Sequence, residues 1–410
     1  MRTGESLLVL RERNFAWFFA SRFVNLTGTT MAGVAVAFAV LEVSGSASAL
    51  GQVLAARTIP MVVFLLVGGV IADRLPRVLV IQVSNAVAFL TQGAMAVLVI
   101  GGHAQLWHLV LLQLLNGTGS AASLPAMQGL IPQLVPRARL QPANVLLSST
   151  RGLLAVVGPS VSAVLVVTAG PGWALAVDSL AWLVAAALLL PVRIPPRDAV
   201  GRQAGFVRDL LEGWDVFRRT TWLWVVVAAF AVLNAIHAGA ILTIGPVLAK
   251  DTFGERGWGL AMSAEAVGLL LMSLVLLKVS LRFPLRAGML GMLALVVPLV
   301  AIGLQPSTTV AVVSMVIAGA GMQVFGLGWS LAMQENVPEE KLSRAYSYDM
   351  LGSFAAMPVG QLLYGPLGEV FGYRQVLVAS GVVYALVCLA ALAVPAVRAL
   401  RRAQEAPAAG

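Results

Sequence analysis

The sequence predicts an all-α membrane protein with about twelve transmembrane helices in two six-helix halves. Of its 410 residues, 59% are hydrophobic and only 11% are charged, whereas an average soluble domain carries about 25% charged residues. Apolar runs as long as the roughly 20 residues that a spanning helix needs recur along the whole chain. The net charge of +9 is spread over the gaps between these runs. That distribution is typical of membrane-protein loops and argues against a nucleic-acid partner.

The apolar runs divide the chain into two halves. The predicted spans are 15–40, 48–72, 77–101, 104–128, 141–168, 173–192, 222–248, 257–279, 286–304, 308–333, 344–367 and 373–396. We therefore expect an N-terminal half over 1–192, a cytoplasmic linker over 193–221, a C-terminal half over 222–397 and a cytoplasmic tail over 398–410.

The linker contains a predicted short amphipathic helix, because its apolar residues recur at helical spacing. These residues are Val207, Leu210, Leu211, Trp214 and Phe217. Such a helix fits a tether on the inner membrane surface, with a regulatory or partner-binding helix as the alternative.

The positive charges predict the orientation. With the N-terminus inside, the cytoplasmic segments hold 21 of the 27 Lys and Arg residues, the outer loops hold 3 and the spans hold 3. Basic residues accumulate on the cytoplasmic side of membrane proteins. We therefore expect a multi-pass protein of a bacterial inner (cell) membrane, with an even number of spans and both termini cytoplasmic.

The two halves resemble each other weakly. Gly117 and Gly119 match Gly319 and Gly321 at an offset of 202, and Asn25 matches Asn234 at an offset of 209. Two six-span halves repeated in parallel predict a substrate site at their interface near mid-membrane, with alternating access by rocking of one half against the other.

The turn between the second and third predicted spans carries a motif made of Gly69, Asp73, Arg74 and Arg77. It resembles the G-x-x-x-D-R-x-x-R signature of the major facilitator superfamily. The segment 46–60, Asp178 and the linker helix are also similar to the drug-efflux branch of that superfamily, the group of macrolide and enterobactin exporters.

The resemblance implies a gating latch on the cytoplasmic side. Asp73 would face the positive N-terminal end of the eleventh span, and Arg74 and Arg77 would pair with acids at the same level, of which Asp349 is a candidate. In the alternative interpretation these arginines only set the topology.

The fifth span is similar to a second signature of the superfamily, the glycine-proline stretch associated with antiporters. Gly152, Gly158 and Pro159 fit it. Ser162 and Ala163 stand where the family usually has glycines, which weakens the inference of antiport. Pro159 as a tolerated kink is the alternative.

Polar side chains inside the spans are candidates for function because they are costly in a bilayer. The resemblance implies that the first, fourth, seventh and tenth spans line the substrate cavity. The cavity candidates are Arg22, Asn25, Thr29, Gln113, Asn116, Asn234, His237 and Trp329. Interhelical hydrogen bonds that only hold the bundle together are the alternative.

Proton exchange needs a group whose charge changes during the cycle. Burial in apolar surroundings favours the protonated form of a carboxylic acid, so Glu265, Asp178 and Asp349 are candidates for proton coupling, with Glu265 first. His237 fits a packing residue better than a proton carrier. Arg57 and Asp178 lie at similar depth and predict a structural ion pair.

The sequence predicts a transporter and no enzyme. It contains no G-x-x-x-x-G-K-[ST], H-E-x-x-H or G-x-S-x-G motif, and with one cysteine and three histidines we expect neither a metal site nor a cofactor. We expect a monomer that exports small amphiphilic molecules (a drug, an antibiotic or a metabolite) in exchange for protons. Its partners are the substrate, protons and the lipid bilayer. Uptake or uniport of a nutrient is the alternative, and a non-transporting receptor or scaffold is a remote one.

Overall fold

The protein is represented by a computed structural model that describes residues 9–64, 75–121, 123–136, 139–193, 214, 217–337 and 339–402. Every regular element within these ranges is helical, which agrees with the predicted all-α fold. The chain divides into two compact units, Met1–Val200 and Gly201–Gly410. The division falls inside the predicted linker.

The first described element of the N-terminal unit is a short 3₁₀ turn over Val9–Arg11. Its α-helices are α1 (Arg13–Ser44), α2 (Ala47–Val63), α3 (Arg77–Ile100), α4 (Leu106–Ser120), α5 (Ser123–Leu134), α6 (Leu140–Ala169) and α7 (Pro171–Leu189). Within this unit α1 and α3 both pack against α7, and α2 packs against α4.

From Thr221 onward, the described residues of the C-terminal unit form ten α-helices and two elements of other helical type. The α-helices are α8 (Thr221–Ile236), α9 (Gly245–Asp251), α10 (Gly254–Leu276), α11 (Pro284–Met292), α12 (Val296–Leu304), α13 (Thr308–Asn336), α14 (Glu339–Phe354), α15 (Met357–Phe371), α16 (Tyr373–Ala393) and α17 (Pro395–Arg398). A π-helix over His237–Ile244 joins α8 to α9, and a 3₁₀ turn over Leu293–Leu295 joins α11 to α12.

Nine helices of the described residues are long and apolar enough to cross a membrane. The three other predicted crossings also contain helix, but in shorter pieces. The helix α2 is too short by this measure and is followed by residues outside the described ones. The fourth crossing is divided between α4 and α5, and the eleventh between α14 and α15. Pro358 lies in the first turn of α15, where a proline has no N–H to donate to the preceding turn. The number twelve stays a prediction.

Large apolar side chains cover the outside of these helices. Val97 is 71% exposed, Leu190 70% and Leu386 60%. Exposed apolar surface on this scale is unfavourable in water and marks a membrane-facing protein, which agrees with the predicted class.

Matching glycines support the internal repeat. Gly170 and Gly372 have positive φ angles of 93° and 87° and precede the last long helix of their units. Gly45 and Gly254, with φ angles of 64° and 78°, lie at the start of the second predicted span of each half. Only glycine adopts such angles without steric cost. The sequence offsets are 202 and 209, the same two values that relate the motifs of the halves.

Most of the predicted linker helix lies outside the described residues. Of its apolar side, Trp214 and Phe217 are described, and their rings stack with centroids 5.6 Å apart. Each ring centroid also lies 5.8 Å from that of Tyr348 on α14. The end of the linker therefore packs on the C-terminal unit through aromatic side chains.

Candidate functional site

A polar pocket lies inside the N-terminal unit between α1, α3, α5 and α7. Arg22 and Asn25 of the predicted cavity both line it. Arg22 Nη1 donates to Asn25 Oδ1 at 2.7 Å, because the two residues are one helical turn apart on α1. Thr29, the third member of the predicted stripe, instead donates to the backbone carbonyl of Asn25 at 2.9 Å.

The predicted stripe on α4 is deeply buried. Gln113 and Asn116 are 1% and 2% exposed. Asn116 Nδ2 donates to Thr91 Oγ1 on α3 at 3.0 Å, whereas its Oδ1 and both polar atoms of the Gln113 side chain have no hydrogen-bond partner among the described residues. Unpaired buried polar groups are rare in folded proteins, so this stripe is a candidate for contact with water or a ligand.

Asp178 on α7 is completely buried, while Arg57 on α2 is partly buried. Their opposite charges act on each other, as the predicted pair requires. However, the ion pairs of the described residues do not include a direct contact between them, and neither carboxylate oxygen of Asp178 accepts a hydrogen bond of normal geometry from those residues. The direct ion pair stays a prediction.

In the C-terminal unit, Asp349 on α14 is held by side chains of two helices. Trp329 Nε1 on α13 donates to its Oδ2 at 2.9 Å, and Ser353 Oγ donates to its Oδ1 at 3.1 Å. Asn234 on α8 donates to the backbone carbonyl of Ser353 at 2.9 Å. Three predicted site residues, Asn234, Trp329 and Asp349, thus belong to one hydrogen-bonded cluster.

Aromatic rings adjoin this cluster. Phe325 stacks on Phe230 with ring centroids 4.0 Å apart and on Trp329 at 5.9 Å. Trp222 meets Trp329 edge to face at 5.8 Å. Such arrangements are favourable for aromatic pairs. A carboxylate and stacked aromatic rings thus lie side by side in the C-terminal unit.

His237 and Glu265 line a second pocket, inside the C-terminal unit, together with Tyr384 of α16. Tyr384 is 1% exposed. His237 Nδ1 is buried and has no hydrogen-bond partner in the described part of the chain. The pocket has room for about one water molecule. His237 is also the first residue of the π-helix, an element that often occurs at functional sites.

Glycines bring the second and fourth predicted spans of each unit into backbone contact. A Cβ atom on Gly117 of α4 would overlap the carbonyl oxygen of Arg57, and a Cβ atom on Gly319 of α13 would overlap the carbonyl oxygen of Glu265. Small residues allow such close approach. Arg57 and Glu265 therefore occupy equivalent positions in the two repeats.

The glycine-proline stretch of α6 packs against α1. A Cβ atom on Gly158 would overlap Thr30, and Ser162 Oγ donates to the backbone carbonyl of Met31 at 2.8 Å. Ser162, which departs from the superfamily pattern, thus still joins the two helices. Gly152 and Pro159 also lie on α6.

The predicted latch is described only in part. Gly69, Asp73 and Arg74 lie outside the described residues. Arg77 is the first residue of α3, and Asp349 has the partners given above. The latch stays a prediction.

Sequence reasoning missed Ser353, Tyr384 and Asn85 as pocket or cluster residues. Asn85 lies on α3, which is not one of the four helices that were expected to line the cavity. Its signal in the sequence was a polar side chain inside a predicted span. Ser353 follows Asp349 by four residues, and residues at this spacing face each other on a helix. The sequence therefore contained a signal for this contact. Tyr384 approaches Glu265 from α16, and no local pattern connects residues so far apart. In the described part of the chain no three His, Cys, Asp or Glu side chains are grouped to hold a metal ion.

Comparison with known proteins defines the class. The sequence-family model of the Major Facilitator Superfamily matches residues 18–359. The chain belongs to this superfamily of membrane transporters.

Three characterised relatives resemble nearly the whole chain. The multidrug efflux pump Tap of Mycolicibacterium fortuitum is 25% identical and covers 91% of this chain and 93% of its own length. Macrolide efflux protein A of Streptococcus pyogenes is 22% identical, with 95% and 96% covered. The enterobactin exporter EntS of Escherichia coli O1:K1 / APEC is 24% identical, with 96% and 94% covered.

Solved structures agree on the fold. The nucleoside transporter NupG superposes with a TM-score of 0.75 at 14% identity, over 93% of this chain and 98% of its own. A bacterial homologue of the human lysosomal transporter Spinster superposes with a TM-score of 0.70 at 18% identity, over 96% of both chains.

Proposed function

We propose that the protein exports small amphiphilic molecules, such as a drug, an antibiotic or a metabolite, from a bacterial cytoplasm. The observation that carries this proposal is the similarity to three exporters, each of which aligns with between 91% and 96% of the chain. The resemblance includes both units. The names of all three relatives describe efflux or export.

Alternating access is the proposed mechanism. The matching glycines and the equivalent positions of Arg57 and Glu265 support two repeated units, and transporters built from parallel repeats work by rocking one repeat against the other. Gln113 and Asn116 in the first unit, and Asn234 and Trp329 in the second, are the proposed polar contacts of the substrate path.

Proton exchange is the proposed energy source, and Glu265 is the proposed proton-binding group. It faces His237 and Tyr384 in a pocket with room for about one water molecule. Burial disfavours the charged form of a carboxylic acid, so an acid in such surroundings takes up a proton more readily than one in water. When the pocket opens to the water on one side of the membrane, Glu265 would release its proton to that side.

The latch is the proposed cytoplasmic gate. Asp73, Arg74 and Arg77 would hold it closed against the eleventh predicted span, where Asp349 lies. The replacement Arg74→Ala is expected to abolish export while the protein still inserts in the membrane. Normal efflux by this variant at normal expression would contradict the gate.

The test of export uses cells that lack their other efflux pumps. Cells that express the chain are compared with cells that express the Arg74→Ala variant, across a panel of toxic amphiphiles, with and without an uncoupler. We expect growth protection and lower accumulation of at least one compound, both lost on uncoupling. Higher accumulation in expressing cells would show uptake, and protection that persists with the uncoupler would exclude proton antiport.

A further inference from the structure

The polar pocket of the N-terminal unit contains a charge that the protein leaves without a counter-ion. The pocket has room for about two water molecules. Polar side chains from three helices line it. They are Ser21, Arg22 and Asn25 of α1, Asn85 of α3 and Ser123 of α5.

Arg22 is the cation in question. A guanidinium has five N–H donors, and among the described residues Asn25 Oδ1 is its one side-chain acceptor. No Asp or Glu oxygen of those residues lies within ion-pair distance of it. The charge that acts on it is Arg151, which is of the same sign.

Arg57 in the same unit shows the contrast. Its charge is offset by Asp178, which is buried on α7. Arg22 has neutral polar neighbours instead, and Ser21 already uses its hydroxyl to bind the backbone carbonyl of Ala185 at 2.7 Å. The pocket therefore has excess positive charge.

An unpaired charge inside a membrane span is expensive to keep, and a second cation nearby adds to the cost. A protein that keeps both charges gains from an anion that enters the pocket. The guanidinium offers two parallel N–H donors that match a carboxylate, sulfonate or phosphate, and Asn85 and Ser123 supply further polar groups beside it.

We propose that this pocket binds the anionic group of a transported molecule, with Arg22 as its principal ligand. The inference rests on the proposed function as a transporter of amphiphiles. It narrows the substrate class to molecules that carry a carboxylate, sulfonate or phosphate. Room for about two water molecules admits the charged group alone, so the apolar body of the molecule would lie outside this pocket.

The test compares salicylate with salicylamide, which share a ring and differ in charge. Affinity is measured by calorimetry on the full chain in detergent micelles. We expect the wild type to bind salicylate and to bind salicylamide much more weakly. Arg22→Gln should weaken salicylate binding about tenfold or more, because a charge-assisted hydrogen bond is lost. Arg22→Lys should keep part of the affinity. Arg13→Gln, on the exposed start of the same helix, is the control and should bind normally.

A second measurement separates binding from structure. Without ligand, Arg22→Gln should unfold at the same temperature as the wild type or at a higher one, because an unpaired charge has been removed. A marked loss of stability would show that Arg22 is structural and would overturn the proposal. Equal binding of both probes, equal binding by Arg22→Gln, or no salicylate binding by the wild type would overturn it too. Export of neutral or cationic compounds is measured separately, so the proposed function can hold when this inference fails.

Discussion

Trp329 Nε1 donates a 2.9 Å hydrogen bond to Asp349 Oδ2, which joins α13 to α14 inside the C-terminal unit. The same carboxylate accepts from Ser353 at 3.1 Å. The acid that sequence analysis assigned to the cytoplasmic latch is thus already held by two neutral donors. Any pairing of Asp349 with an arginine would share or replace these bonds.

We predict that Trp329→Phe lowers the free energy of unfolding by about 1–3 kcal/mol, because the carboxylate loses a donor while it stays partly buried. Denaturation in mixed micelles measures the change. The control is Trp224→Phe, a change of the same type at a side chain that is 43% exposed on α8. Equal losses in both variants would show that the hydrogen bond to Asp349 contributes nothing specific.

We predict that Glu265→Gln abolishes uncoupler-sensitive export while substrate binding is kept. The amide has nearly the same shape as the acid but cannot take up or release a proton. Transport is measured in membrane vesicles with an imposed pH gradient, and binding is measured on the purified protein. Glu255→Gln at the start of the same helix serves as the control and should leave transport unchanged. Export by Glu265→Gln at the wild-type rate would exclude this residue as the proton site.

We predict that Gly319→Ala destabilises the C-terminal unit by roughly 1–3 kcal/mol or prevents folding, as overpacking does in tight cores. The added methyl group would overlap the carbonyl oxygen of Glu265 on α10. Gly326 lies two turns further along the same helix, and a Cβ atom there would meet nothing within 4 Å. Gly326→Ala is therefore a matched control. Thermal unfolding in detergent compares the two, and equal midpoints would contradict the close approach of α10 and α13.

We predict that Asp178→Asn destabilises the protein by roughly 1–3 kcal/mol, less than the loss of one partner of a contacting buried pair. The change leaves Arg57 in the unit interior without its opposite charge. A second change, Arg57→Leu, should recover part of the loss, since it removes the uncompensated cation.

A double-mutant cycle tests this coupling. Unfolding free energies are measured for both single variants and for the double variant. Strictly additive effects would mean that the two charges do not stabilise each other, and that Asp178 is available for another role such as proton coupling.

The fold was largely predictable from the sequence, because membrane spans are read from local apolar runs and from charges between them. Each predicted crossing contains helix in the described residues. The division between α14 and α15 was not predicted. A run of apolar residues looks the same whether the helix through it is continuous or broken.

The site was predictable only where its residues are close in sequence. Arg22 and Asn25, three residues apart, do meet. Asp349 was predicted as a candidate from its position in the eleventh predicted span, but its bond to Trp329 depends on how two helices pack. The proximity of Glu265, His237 and Tyr384 has the same origin, since three different helical elements supply them.

The π-helix over His237–Ile244 changes how the seventh crossing is to be read. Its backbone bonds reach one residue further than those of an α-helix, and one residue corresponds to about 100° of rotation around an α-helix. A helical wheel drawn through α8 therefore assigns the side chains of α9 to the wrong sides. Deletion of a single residue here would restore the α-helical winding and rotate one end of the crossing relative to the other. A one-residue change of length at this place therefore alters which side chains share a face of the helix.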